Sequence, residues 1–312
     1  MKLYRQGEYI RLIRKQIGMS QDILAGNIMN RSTLSKVENG LQAISQHKFK
    51  LLMTRMGKSL HNVPLFLLDG KNEEIHLVMD ELDTVLSRRQ YVQAEELIKK
   101  LEDLLQDSDD AIQQQYLLLV KVALLSQKQQ LTPETLNLLE KALNLGITGF
   151  KETDIKTYYL TGQDIKAINL LALYYQKNGA TKKAIKILEQ LENNLSKNLI
   201  DKVEKGQHYP LVAYNLGKYY RDVGNFHKSL VISECGLACC KESNSFFFSP
   251  LLTMNKIHCL FEQGDFADCQ KLIKEVYYTF SNFGLERECQ MVTKYAEEKL
   301  DLILEKKQDY RP

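Results

Sequence analysis

The chain has no tryptophan, only five prolines in 312 residues, and almost no run in which apolar and polar residues alternate. Scarce proline leaves helices uninterrupted. Missing alternation removes the main mark of half-buried strands. Leu, Lys, Glu and Gln dominate instead, and all of them favour helix. No stretch reaches the roughly 18 apolar residues that a membrane span needs. The N-terminus, MKLYRQGEYIRLIRK, has no apolar core of signal-peptide length. These absences predict an all-α, cytoplasmic protein without a membrane partner.

The usual carriers of catalysis are also missing. There is no Gly-rich phosphate loop, no His-Glu-x-x-His and no Gly-x-Ser-x-Gly. His47, His61, His76, His208, His227 and His258 are scattered along the chain. The six cysteines, at 235, 239, 240, 259, 269 and 289, form no Cys-x-x-Cys and match no zinc spacing. They read as small core residues in a reducing compartment. An enzyme, a cofactor and a bound metal are therefore not expected.

Charge is unevenly placed. Residues 1–70 hold 11 Lys and Arg against four Asp and Glu, a net +7, and the rest of the chain carries −4. A small basic domain (1–70) followed by a larger, slightly acidic one (72–312) points to an anionic partner for the first part alone. Within it, short helices are expected to end at Gly18, to start from a Ser20 cap with Ile23, Leu24 and Ile28 inward, and to start from an Asn30 cap and end at Gly40. SQHKFKLLMTRM and NVPLFLLDG supply two more, making five. The third, NRSTLSKVENG, buries only Leu34 and Val37 and holds out five polar residues.

The stretch IRLIRKQIGMSQDILAGNIMNRSTLSKVENG resembles the xenobiotic-response-element class of helix-turn-helix domains over about residues 7–68. The matching parts are Gly18, Ser20 and Gln21 at the turn, Leu24-Ala25, Ser35-Lys36, and Glu38-Asn39-Gly40. The resemblance implies that the third helix enters the major groove of double-stranded DNA. Arg31, Ser32 and Lys36 then become base readers, Arg31 foremost, because its fork holds guanine O6 and N7 together. Gln21, Thr33 and Ser35 become phosphate contacts. Arg14 and Glu38 match a family pair that ties the first helix to the third.

After residue 85 a motif recurs: RRQYVQAEELI, NGATKKAIKIL, VGNFHKSLVI and QGDFADCQKLI align without gaps over their first seven positions. Each places a small residue at the same point, Ala94, Ala184, Ser229 and Cys269, the last three 45 and 40 positions apart. Ala94 and Ala184 lie two such periods apart, which puts a missing repeat near TPETLNLLEKALNL. Preceding helical runs share Ala172 with Gly217 and the Tyr pairs 174–175 and 219–220. The pattern resembles tetratricopeptide repeats, lengthened beyond their usual ~34 residues. About five helix pairs over residues 72–284, with a final capping helix, would stack into a right-handed α-solenoid with a concave face.

That face would be lined by Asn169, Tyr214, Asn215, Lys218, Arg221, Asn255 and His258. Asn side chains donate and accept at once and so suit a peptide backbone, and Lys218 and Arg221 suit a carboxylate. Basic reading domain plus repeats resembles the Rap, Rgg, NprR, PlcR and PrgX superfamily of Gram-positive peptide-pheromone receptors. The resemblance implies a homodimeric transcription regulator, bound to a pseudo-palindromic operator and controlled by a short signalling peptide in the groove between about residues 163 and 262. The other binding reading is a DNA-tethered scaffold whose groove takes a protein partner.

Overall fold

The computed structural model describes residues 6–58, 70–106, 108, 110–197 and 202–304. Among them are fifteen α-helices, one 3-10 turn (Ile155–Thr157) and no strand. The basic segment forms α1 (Gln6–Gln16), α2 (Gln21–Ala25), α3 (Arg31–Glu38) and α4 (Gln46–Arg55). The fifth helix expected there, in NVPLFLLDG, lies outside the described residues but for Gly70. Gly18 and Gly40 take φ of +68° and +71° after α1 and α3, the left-handed turn that a Cβ disfavours. The Ser20 hydroxyl caps α2 by accepting from the Ile23 amide at 3.1 Å.

Two local expectations change. Asn30 occupies the N-cap of α3 with extended backbone, but its side chain makes no capping bond. Ile23 is exposed, while Leu24 and Ile28 are buried. The second helix ends at Ala25, so Ile28 turns inward from the following loop rather than from the helix face.

The remaining helices pair as the repeat spacing predicts. They are α5 (Gly70–Ser87) with α6 (Tyr91–Leu105), α7 (Ala111–Gln127) with α8 (Pro133–Gly146), and α9 (Gly162–Lys177) with α10 (Thr181–Ser196). Next come α11 (Lys202–Asp222) and α12 (Phe226–Ser243), α13 (Ser249–Glu262) and α14 (Phe266–Asn282), and a last helix α15 (Glu286–Leu300). The missing repeat is α8. The four aligned small residues, Ala94, Ala184, Ser229 and Cys269, are all 0% exposed. Gly217 is equally constrained: a Cβ there would lie 2.9 Å from Ser233 Oγ and 3.1 Å from Asn255 Nδ2.

The chain divides into two compact units, residues 1–208 and 209–312. The boundary falls inside α11, two residues before Pro210, which cannot donate an amide to the helix ladder. In the first unit, α5 touches α6 and α7, α7 touches α8 and α9, and α9 touches α10. In the second, α12, α13, α14 and α15 pack in succession around Ile257, Ile273, Val276, Phe280 and Val292.

Enlarging a buried small residue tests this packing. Ala184→Leu should destabilise the protein by about 1–3 kcal/mol through overpacking, seen as a lower urea midpoint. An unchanged midpoint would mean that Ala184 does not set the α9–α10 spacing.

Candidate functional site

The third helix is held by one bidentate ion pair. Arg14 of α1 donates from Nε to Glu38 Oε1 at 2.6 Å and from Nη2 to Oε2 at 2.8 Å. Its Nη1 donates to the Met19 carbonyl at 2.9 Å. Burial alone would push the Glu38 carboxyl up, but the bonds from Arg14 and Gln21 reverse this and hold it below its ordinary value. The same pair raises the Arg14 guanidinium pKa. With Leu34 and Val37 buried, this anchor leaves Arg31, Ser32 and Lys36 exposed and Thr33 and Ser35 half-buried. Arg31 faces Asp22 at 3.6 Å, with both side chains 66% exposed, so the contact is weak and yields readily. Gln21 differs from the simple phosphate contact expected of it: its amide nitrogen donates to Glu38 Oε2 at 2.8 Å. A phosphate would have to use its second N–H.

A second anchor escaped the sequence reading. Arg55, at the end of α4, is buried and donates from Nη1 to the Leu24 and Ala25 carbonyls at 3.2 and 3.3 Å, and from Nη2 to Asn27 Oδ1 at 2.6 Å. It thereby satisfies carbonyls left open where α2 ends. Gly26 makes room for it: φ is +43°, and a Cβ would lie 2.4 Å from Arg55 Nη1. Contacts with the first repeats were also missed. Ile112 of α7 joins the core formed by α1–α4, and Lys48 Nζ lies 3.5 Å from Asp110 Oδ2.

In the second unit, Tyr214, Arg221, Asn255 and His258 come together. Asn255 is 1% exposed. Its Nδ2 donates to the Tyr214 carbonyl at 3.0 Å, and its Oδ1 accepts from Arg221 Nη1 at 3.2 Å. The carboxamide expected to face the groove thus points to the neighbouring helix, because the close approach of α13 to Gly217 leaves it no path outward. It positions Arg221 instead. His258 stacks edge-on against Tyr295, ring centroids 4.4 Å apart. Burial first, then Arg221 and Lys299, lower its pKa to about 4. Asn215 and Lys218 are half-buried on α11. In the first unit, Asn169 of α9 is buried.

Residues 10–61 match the helix-turn-helix family. They are a helix-turn-helix domain. Among solved structures, the chain is similar to Bacillus thuringiensis PlcR in complex with the peptide PapR7 and DNA. Identity is 19%, coverage 93% of this chain and 99% of that one, and the TM-score 0.61. It is also similar to apo ComR from Streptococcus vestibularis, at 15% identity, 94% and 97% coverage and a TM-score of 0.51. ComR from S. thermophilus with DNA and its signalling peptide ComS gives 15%, 96% and 100%, and 0.50. No curated protein matches the chain in sequence. The shared feature is the fold, a helix-turn-helix domain followed by helical repeats. Among the described residues no helix is long and apolar enough to cross a membrane, and no cluster of metal-ligating residues occurs.

Removing Arg14 would strand the Glu38 carboxylate, so Arg14→Ala should cost roughly 3 kcal/mol in chemical denaturation. A loss indistinguishable from zero would contradict the anchor.

The pH dependence follows from two signs. The Glu38 contribution is present above the ordinary glutamate value and fades as pH falls through its lower folded value. His258 stays neutral in the fold down to about 4 but takes a proton near 6.5 when unfolded, so stability falls as pH drops between those values. His258→Gln should shrink that decline. Equal slopes in both proteins would contradict the buried, neutral imidazole.

Proposed function

We propose that this protein is a cytoplasmic, homodimeric transcription regulator whose helix-turn-helix domain reads DNA under the control of a short peptide. The observation that carries the reading is the combination in one chain. A helix-turn-helix match over residues 10–61 sits in a fold shared over 93% of the chain with a protein crystallised with both peptide and DNA. In this reading residues 1–70 bind DNA, with Arg31, Ser32 and Lys36 at base edges and Gln21, Thr33 and Ser35 on phosphates. Residues 72–312 bind the peptide. In the second unit Arg221 takes its carboxylate, Asn255 holds Arg221, and Tyr214, Asn215, Lys218 and His258 flank it. Asn169 of α9 belongs to the same set. The protein acts by binding and not by catalysis. Two-fold symmetry calls for a pseudo-palindromic operator with half-sites one turn or a multiple apart.

Arg31→Ala should weaken specific binding by roughly 1–3 kcal/mol and relax preference at one base position per half-site, measured by fluorescence anisotropy on a selected operator. Equal affinity in both proteins would end its assignment as a base reader. For the peptide, calorimetry should find Arg221→Ala more damaging than Asn215→Ala, since a bond to a charged group nets roughly 1.5–3 kcal/mol against about 0.5–1.5 for a neutral one. The reverse order would remove the carboxylate from Arg221.

A further inference from the structure

The first unit contains a cavity of about 450 Å³, within the usual range for small-ligand sites. Its lining comes from five helices. Helix α4 of the basic segment presents His47, Lys50 and Thr54 at helical spacing, so one face looks inward. Opposite stand Asp80 and Asp83 of α5, Tyr116 of α7, the first turns of α9 with Gly162, Gln163 and Lys166, and the start of α11 with Glu204 and His208. None of these belongs to the peptide set above.

The charges are sorted by helix. Because α5 touches α7 and α7 touches α9, Tyr116 lies between the two aspartates of α5 and Lys166 of α9. On the acidic side lie Asp80 and Asp83, the latter accepting from the Tyr116 hydroxyl at 3.0 Å. On the other side lies Lys166 of α9, whose first turn is already capped by Thr161 and the buried Asp164 carboxylate. Gln163 Oε1 is buried there without a hydrogen-bond partner, an acceptor that costs stability until a donor reaches it. The far rim is tightly built: His208 Nε2 lies 3.8 Å from Glu204 Oε2, and a Cβ on Gly162 would come within 2.8 Å of it.

We propose that this cavity binds a small zwitterion, a free amino acid or dipeptide, with its ammonium toward Asp80 and Asp83 and its carboxylate toward Lys166. An N–H of the ligand satisfies Gln163. A molecule so placed touches α4 on one side and repeat helices on the other, and therefore helps to set how the DNA-reading domain is held within this unit.

The test uses the full chain and a panel of free amino acids and glycyl dipeptides. At least one member at about 5 mM should raise Tm by about 3 °C or more. Its N-acetyl amide, which lacks both charges, should not. Lys166→Gln and Asp80→Asn, both at exposed positions, should leave the unliganded Tm unchanged and weaken the calorimetric Kd about tenfold or more. A panel without any shift, a blocked analogue that works as well, or wild-type affinity in both variants would overturn the site. If one variant fails to fold, the other decides.

Discussion

The bidentate contact between Arg14 and Glu38 is the constraint on which the placement of α3 rests. A helix of eight residues with two buried aliphatic side chains has little packing of its own. Glu38, 2% exposed, is stable as a buried carboxylate only because a guanidinium and an amide meet it. The orientation of Arg31, Ser32 and Lys36 follows from that attachment. Arg55 does the same work from the other side, gripping the carbonyls at the end of α2, so the turn before α3 is fixed at both ends.

The repeats are held by a different rule. Helix pairs approach closely only where one side chain is small, and Ala94, Ala184, Ser229 and Cys269 supply that point in four of the repeats. Size matters at these positions and polarity hardly at all, which is why alanine, serine and cysteine interchange. Charge does the opposite work on the inward-facing surfaces. Arg221 is held by Asn255 in the second unit, and the polar cavity beside α4 occupies the first.

Much of this was legible in the sequence because it is written locally. The Ser20 cap, the left-handed Gly18 and Gly40, and the small residues of the repeats each depend on neighbours a few positions away. The period of the repeats even located α8, whose own motif has diverged. Features that depend on distant partners were not legible. Arg55 lies about thirty residues from the carbonyls it binds, and Ile112 enters a core built by residues 10–56. Nothing in their immediate surroundings distinguishes them from ordinary helix residues. Asn255 shows the limit of register: its place in the repeat was readable, but whether it faced the groove or Tyr214 depended on how closely α13 approaches Gly217. Ile23 failed for a simpler reason, since α2 is too short to carry a full apolar face.

The central claim is that one chain couples sequence-specific DNA reading to a ligand of its repeat domain. Selection of random duplex DNA by the purified full chain, with and without a culture-derived peptide pool, measures both halves together. The account predicts enrichment of a pseudo-palindrome with half-sites one helical turn or a multiple apart, and a change in enrichment or affinity when the peptide pool is added. No enriched sequence would contradict the reading role of α3, and identical selection with and without peptides would contradict the coupling.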